Sequence, residues 1–343
     1  MATIRQPLTG APTRESPQSS ASFDWLVVLL SAWWVGGIFL DGWAHNHIPQ
    51  LETFFTPWHA ALYSGFLVVA LFLFVTVVRR HAQGYSWEHA MPRGYELSLL
   101  GVGVFAAGGV LDLLWHLLFG IERSTAALLS PTHLMLALGA VLAVSGPLRA
   151  AWQRPVTQRQ QTLFELLPAL LSLAYVLALF TFFTQYANPI IHSQADKQTG
   201  SVELGLVSIL LQTAVFMGVA LFALRRWRLP LGTFSLLYLL NTTLAITQST
   251  LSLILAVAVF SLFTGLLVDL LYQALKPTVE RREALRLFAF LAPVVIQTIY
   301  FLALLASVGL AWSVHLWVGS IVLSGVVGLL LSFLLVSLPV QQE

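Results

Sequence analysis

Residues 97–120 have the sequence LSLLGVGVFAAGGVLDLLWHLLFG, and this apolar run decides the fold class. It is long enough to cross the hydrocarbon core of a bilayer as a helix, which takes about 20 residues. Backbone groups in lipid must bond to one another, so the run should form a membrane helix. Asp112 is its one formally charged residue, and His116 follows four positions later on the same helix face. This polar pair requires a separate explanation.

Composition extends the membrane assignment to the whole chain. Of the 343 residues, 57% are apolar and only 9% are charged, whereas a soluble domain has about 25% charged residues. We therefore predict an all-α polytopic membrane protein with about ten transmembrane helices that contact membrane lipid. The net charge of only +2 gives no reason to expect a nucleic-acid partner. The absence of cysteine excludes disulfides, thiolate metal sites and cysteine nucleophiles.

The order of polar and apolar segments predicts the domain organisation. Residues 1–23 should be a disordered cytoplasmic tail, and residues 24–343 a single transmembrane domain. Within that domain, residues 24–150 should form a duplicated hairpin unit that carries the polar site, and residues 163–338 the remaining helical bundle. The predicted spans are about 24–45, 57–79, 95–119, 129–150, 163–185, 203–224, 231–248, 250–274, 286–308 and 312–338.

The distribution of basic residues predicts the orientation. Fifteen of the 17 Lys and Arg residues fall in the N-terminal tail or in the even-numbered connections between spans. The other two are Arg123 and Lys197. Cytoplasmic loops carry the excess of Lys and Arg, so we expect a cell-membrane protein with both termini in the cytoplasm. The first and third connections should then face outward.

The surroundings of Asp112 resemble an earlier part of the chain. The stretches LDGWAHNHIPQLETFFTPWHAALYSG (40–65) and LDLLWHLLFGIERSTAALLSPTHLMLALG (111–139) have the same order of polar residues, and each is preceded by a Gly pair. This agreement in order and type predicts a duplicated helical hairpin. The matching residues are Gly36, Gly37, Asp41, His45, Glu52, Thr56, Pro57, His59 and Gly65 in the first copy, and Gly108, Gly109, Asp112, His116, Glu122, Ser130, Pro131, His133 and Gly139 in the second.

The motif also predicts how its polar residues meet. Asp41 and His45 are four residues apart and share a helix face. Thr56 is suited to cap the next helix and Pro57 to its first turn, which places His59 near the start of that helix. A hairpin folded there brings His59 opposite the other two. The second hairpin should bring its own Asp and two His together in the same way.

Each hairpin therefore offers one carboxylate and two imidazoles. This is the ligand set of many non-haem iron sites, and copper and zinc also accept it. Ionisable groups at membrane depth are costly and are functional candidates by default. The alternative is a duplicated packing motif in which Asp–His hydrogen bonds join the helices. The predicted metal ligands are Asp41, His45, His59, Asp112, His116 and His133.

We expect the six ligands to form one shared cluster near the outer membrane surface, because hairpins that pack face to face bring equivalent polar ends together. Glu52 and Glu122 lie further out along the chain. They are the predicted catalytic acid–base residues at the rim of the site.

An Asp, a His at i+4 on the same membrane helix and a His at the start of the next helix resemble a known copper site. It is that of the C subunit of membrane-bound copper monooxygenases, the particulate methane and ammonia monooxygenase group. The matching residues are Asp41, His45 and His59, with a second set in the second copy. The resemblance implies copper ahead of iron or zinc as the cofactor. A copper site of this kind could carry out oxidoreductase chemistry, which would need a redox partner in the membrane or periplasm as its electron source.

Other functions fit the same residues. A metal-ion transporter or metallochaperone would need a polar path through the bundle. A zinc-dependent membrane lipid hydrolase would use a Glu as general base beside zinc-bound water. A haem could bind between His59 and His133. Asp269, an intramembrane charge, and His315, at the start of the last span, are further candidates for a site. The polar residues available for a transport path are Asn241, Thr242, Thr243, Gln248 and Asp269.

Overall fold

The computed structural model describes residues 15–48, 55–120, 125–155, 162–192 and 201–336, and these residues form helices and no strand. The predicted all-α fold is confirmed for this part of the chain. Its α-helices are α1 (Ala21–His47), α2 (Pro57–Ala82), α3 (Glu96–Phe119), α4 (Thr125–Leu129), α5 (Pro131–Val144), α6 (Gly146–Gln153), α7 (Leu163–Phe183), α8 (Val202–Leu224), α9 (Thr233–Thr247), α10 (Ile254–Leu275), α11 (Arg282–Ser307) and α12 (Val314–Leu335).

Eight helices of the described residues are long and apolar enough to cross a membrane: α1, α2, α3, α7, α8, α10, α11 and α12. The pair α5–α6 reaches this standard only as one span bent by 42°, which would be the ninth. The helix α9 is apolar but has only 15 residues. The chain therefore has the build of a multi-pass membrane protein. Two of the ten predicted spans differ from simple helices, since the fourth is bent and the seventh is short.

The bend in the fourth span has a local cause. Ser145 ends α5, and Pro147 in the first turn of α6 has no backbone N–H to continue the hydrogen-bond ladder. The Arg149 guanidinium donates to the Leu142 carbonyl oxygen at 2.9 Å and to the Ser98 hydroxyl at 2.8 Å. Arg149 thus satisfies a backbone carbonyl near the break.

The short helix α9 is held by a residue of another helix. Asp269 of α10 is fully buried, and its carboxylate accepts hydrogen bonds from the backbone N–H of Phe234 at 3.0 Å and of Ser235 at 2.9 Å. It also accepts one from the Ser235 hydroxyl at 2.7 Å. Asp269 therefore acts as the N-terminal cap of α9, where a carboxylate is favoured. The intramembrane charge singled out in the sequence has a structural role.

The first helix begins before the predicted residue 24. Ser20 caps α1 by accepting a hydrogen bond from the Phe23 N–H at 3.2 Å. Asp24, which is buried, accepts from the Tyr95 hydroxyl at 2.7 Å and pairs with Arg154. Ser19, in the last part of the predicted tail, accepts hydrogen bonds from Arg154 on its carbonyl oxygen at 3.0 Å and on its hydroxyl at 2.9 Å, so this part is ordered against the bundle. Residues 1–14 of that tail lie outside the described residues.

Two helix pairs approach closely at glycines of the repeated motif. A Cβ atom added to Gly65 of α2 would lie 2.6 Å from the Trp34 Cα of α1. One added to Gly139 of α5 would lie 2.8 Å from the Gly101 carbonyl oxygen of α3. Such contacts leave no room for a side chain, so the small residues set the spacing of α1–α2 and α3–α5. These two pairs carry the predicted ligands.

The Gly65→Ala substitution should lower the free energy of unfolding by about 1–3 kcal/mol, because a methyl group would force the α1 and α2 backbones apart. Gly36→Ala is the matched control, since a Cβ there meets nothing within 4 Å. It should be neutral or stabilising by up to about 1 kcal/mol, as Ala favours helix over Gly. Thermal unfolding in detergent measures both. Equal melting temperatures for the two variants would contradict the close approach.

Candidate metal centre

The first candidate ligand group, called the first triad, consists of Asp41, His45 and His59. The Thr56 hydroxyl caps α2 by accepting from the His59 N–H at 3.1 Å, and Pro57 begins the helix, as predicted. This places His59 beside the last turns of α1. Asp41 Oδ2 lies 3.5 Å from His45 Nε2 and 3.5 Å from His59 Nε2. One carboxylate oxygen thus faces two imidazole nitrogens.

The second triad consists of Asp112, His116 and His133. Ser130 caps α5 by accepting from the His133 N–H at 3.3 Å, and Pro131 begins the helix. Asp112 Oδ2 lies 3.4 Å from His116 Nε2, and Asp112 Oδ1 lies 3.5 Å from His133 Nδ1. The structure therefore brings together each predicted set of one Asp and two His. The duplication of the hairpin itself remains a prediction.

Both triads have the spacing of a metal-binding group. Within each triad, one ligand atom per residue can be chosen so that all lie within 4.8 Å of one another, and each could hold a metal ion. The N···O distances of 3.4–3.5 Å are longer than a usual N–H···O hydrogen bond. They match the edge of a tetrahedron with metal–ligand bonds of about 2.1 Å, which is about 3.4 Å.

The Asp carboxylates of both triads are buried, and a buried carboxylate is unfavourable in its charged form unless a cation or a hydrogen-bond donor lies beside it. Asp41 is 9% exposed and Asp112 is 2% exposed. Among the described residues, Asp41 Oδ1 is buried and has no hydrogen-bond partner. A buried charged group of this kind is unfavourable unless it is paired or coordinates a metal. A cation bound at the first triad would therefore stabilise the buried Asp41 carboxylate.

The hydrogen bonding of the His116 ring is compatible with the tautomer that metal binding requires. Its Nδ1 lies 3.2 Å from the Gly120 carbonyl oxygen, which can only accept a hydrogen bond, so Nδ1 carries the hydrogen. In the neutral ring, Nε2 then directs a lone pair toward the Asp112 carboxylate. A cation between them would turn repulsion into attraction. Metal-ligating histidines commonly donate their other N–H to a backbone carbonyl in this way.

The two triads differ in how their carboxylates are supported. The Thr132 hydroxyl donates to Asp112 Oδ1 at 2.7 Å, which leaves Oδ2 facing His116. The Ser130 hydroxyl lies 2.6 Å from His133 Nδ1, the same ring nitrogen that lies 3.5 Å from Asp112 Oδ1. The Asp41 carboxylate has no such hydroxyl partner among the hydrogen bonds of the described residues. The Asp112 carboxylate is therefore the better supported of the two.

Thr132→Val should weaken metal binding at the second triad about 10–100-fold, because it removes the hydrogen bond that orients Asp112. The first triad should keep its affinity, since Thr132 lies beside the other carboxylate. Competition with a chelator of known affinity gives the two dissociation constants separately. Thr76→Val is a control, because Thr76 bonds only within α2, to the Phe72 carbonyl oxygen. Equal weakening at both triads would contradict this assignment.

One cavity of about 530 Å³ joins the two triads. Asp41 and His45 line it from the first triad, and His116 and His133 line it from the second. The single six-ligand cluster expected from the sequence is thus wrong in detail, since the ligand atoms form two groups of three. In each hairpin, the two His residues face the Asp of the same hairpin and not that of the other. What the triads share is the cavity.

Tyr63 lies between the triads and was missed in the sequence. Its ring centroid is 6.2 Å from that of His59, and a Cβ added to Gly109 would lie 3.0 Å from its hydroxyl oxygen. The available signal was its position four residues after His59, on the same helix face.

Three carboxamides form the rim of the cavity. Asn46 donates to Gln185 Oε1 at 3.0 Å and to the Gln248 carbonyl oxygen at 3.1 Å. Gln248 in turn donates to the Phe39 carbonyl oxygen at 2.9 Å. These bonds join the end of α1 to the ends of α7 and α9. Asn46 and Gln185 were missed in the sequence, where the one signal was an amide at the end of an apolar run.

Two histidines outside the triads also line the cavity. His47 Nδ1 lies 2.8 Å from the Trp43 carbonyl oxygen, and Nε2 lies 2.7 Å from that of Ser249. A ring with hydrogen on both nitrogens satisfies both acceptors, whereas a neutral ring satisfies one. Partial burial lowers the pKa of the His192 imidazole below its ordinary value, so this ring is mostly neutral at pH 7.

The remaining candidates do not join this site. Glu52 and Glu122, the predicted acid–base residues, lie outside the described residues. His315 is exposed at the start of α12 and does not line the cavity. Asn241 and Thr242 line a separate cavity of about 50 Å³. Of the polar residues named for a transport path, Asn241 and Thr242 line this small cavity, Gln248 lines the large one, Asp269 caps α9, and Thr243 lines neither cavity.

Comparison of the chain with protein-family models, with curated proteins and with solved structures gives no match. A functional argument therefore depends on the geometry of the triads and the cavity.

Proposed function

We propose that the chain is an integral membrane metalloprotein in which each triad holds one transition-metal ion. The observation that carries this proposal is the pair of Asp–His–His groups on one cavity, each with a buried carboxylate and with ligand atoms within 4.8 Å of one another. Three protein ligands leave a coordination position for another molecule, which is the arrangement of catalytic sites. Structural sites, by contrast, use all their positions for protein ligands.

Copper is the favoured metal, ahead of iron and zinc. The order Asp, His at i+4 and His on the next helix resembles the copper site of membrane copper monooxygenases, and the proposed chemistry is accordingly oxidative. Bound copper would supply one-electron chemistry at the open position. The chain's own part is to orient His116 through Gly120 and Asp112 through Thr132. A redox partner in the membrane or periplasm would deliver the electrons.

A zinc-dependent hydrolase is the second candidate, because the 3.4–3.5 Å ligand spacing is that of a tetrahedral ion. Zinc would activate a bound water for attack on a lipid ester in the cavity. Copper and zinc differ in redox activity, so metal analysis separates the two proposals.

The test is metal analysis of protein purified without added metal or chelator, with optical and electron paramagnetic resonance spectra. Copper near two ions per chain supports the leading proposal, and zinc at that level supports the second. Protein that contains no transition metal and takes up neither ion on incubation would overturn both.

We also propose that the triads face the outside of the cell membrane, as the basic-residue distribution predicts. A phosphatase reporter that is active only outside the cytoplasm, fused after Glu343, should be inactive, because that terminus is expected inside. A fusion after Ser313, before α12, should be active. The opposite pattern would reverse the orientation of the site.

A further inference from the structure

The cavity changes in polarity along its length. At the rim are the amides and histidines described above, and next come the carboxylates and imidazoles of the triads. Beyond them the wall is formed by aliphatic, aromatic and small side chains. These are Ile38, Leu62, Phe105, Leu136, Ala137 and Ala140.

The apolar end of the cavity lies well inside the bundle. Ala140 is seven residues further along α5 than His133, and Phe105 is seven residues before Asp112 on α3. At 1.5 Å per helical residue, both positions lie about 10 Å deeper than the triads. Phe105 is buried against Trp34 and Phe66 and closes this end. The metal positions thus lie between a polar rim and an apolar pocket.

We infer that the cavity binds a single-chain amphiphile, with a Lewis-basic head at the triads and an unbranched alkyl chain in the pocket below them. This inference rests on the proposed function, whose substrate class it names. The head would take an open coordination position at the triads, next to the polar rim. The chain would replace water against aliphatic and aromatic walls, which favours binding.

The volume limits the size of this ligand. About 530 Å³ falls within the range of roughly 300–1,000 Å³ for sites that enclose drug-sized molecules. A molecule with one chain of moderate length can be enclosed there. A two-chain phospholipid would leave most of its apolar surface outside. The ligand is therefore a small amphiphile.

A series of 1-alkylimidazoles, from methyl to dodecyl, tests the inference on the cobalt(II)-loaded protein in nanodiscs. The cobalt absorption spectrum reports ligation by the probe. Each methylene should tighten binding about fourfold until the pocket is full, since burial of a CH₂ contributes about 0.8 kcal/mol. Beyond that chain length the affinity should stop rising. An affinity that rises without a limit indicates partition into the bilayer and would overturn the inference.

Variants of the pocket wall locate the chain. Ala140→Phe should shorten the chain length at which the affinity stops rising and leave 1-methylimidazole binding unchanged. Leu136→Ala should lengthen it. Ala106→Phe is the matched control, because Ala106 is on α3 but exposed on the lipid-facing surface. It should leave the whole series unchanged. A limit that moves with neither wall variant, or that moves equally with the control, contradicts the inference.

A metal-free experiment separates this inference from the proposed function. Protein stripped of metal is labelled with an n-alkanol that carries a diazirine on its terminal carbon, and labelled peptides are identified. Saturable labelling of residues 136–140, competed by unlabelled alkanol, supports the alkyl pocket even if the triads bind no metal. Metal binding without such labelling is consistent with the proposed function and contradicts the inference that the cavity binds an amphiphile.

Discussion

Purified protein should contain two transition-metal ions per chain, and Asp41→Ala should remove one of them. Asp41 Oδ2 is the atom that faces both His45 and His59 at 3.5 Å, so its loss leaves two imidazoles without their anionic partner. Asp112→Ala should remove the other ion, and the double variant both. Elemental analysis of the purified variants gives the stoichiometry. The ion that remains in each single variant should be bound with the affinity that it has in the wild type.

The control is His315→Ala, which changes an exposed histidine away from the cavity and should leave two ions per chain. If either Asp variant lost both ions, the two triads would act as one cluster, in spite of their separation into two groups. If both variants kept both ions, the triads would be packing motifs and the metal would lie elsewhere.

Asp269→Ala should lower the free energy of unfolding by about 2–4 kcal/mol. The reason is the loss of a buried helix cap with charge-assisted hydrogen bonds, which leaves two N–H groups of α9 unsatisfied. Thermal unfolding in detergent measures the change. The number of metal ions per chain should stay at the wild-type value, because Asp269 lines neither cavity and touches neither triad.

Glu280→Ala is the matched control, since this carboxylate is exposed in the connection between α10 and α11. It should change stability by less than about 0.5 kcal/mol. A hydrogen bond from Thr278 holds the pKa of Glu280 below its ordinary value, and the group is nearly fully exposed. Similar losses of stability in both variants would contradict the capping role, as would an Asp269→Ala protein that unfolds like the wild type.

The hairpin geometry could be predicted from the sequence because its determinants are local. Thr56 and Pro57 specify where α2 begins, and the spacing of four residues places Asp41 and His45 on one face. Together these features bring His59 to the other two. The same reasoning holds for Ser130 and the second hairpin. Every step depends on residues that are near one another in the chain.

The shared cavity could not be predicted in this way. Its rim depends on Gln248, which meets Asn46 only because α9 packs near the end of α1. The apolar run 231–275 is slightly short for two membrane helices, but it does not show how α9 is held, since the cap of α9, Asp269, lies on the next membrane helix. Contacts between distant segments depend on how whole helices pack, and a pattern in one segment does not contain that information.

The separation along the chain between the triads and the part of the rim formed by Gln248 and Ser249 has a consequence for biosynthesis. Ribosomes make the chain from its N-terminus, so all six ligands are present once residue 133 has entered the membrane. Gln248 lies 202 residues after its partner Asn46 and is made much later. A nascent chain therefore passes through a stage in which both hairpins can close while the side formed by Gln248 and Ser249 is still open. During that interval an ion can reach the imidazoles by a wider route than the finished protein offers.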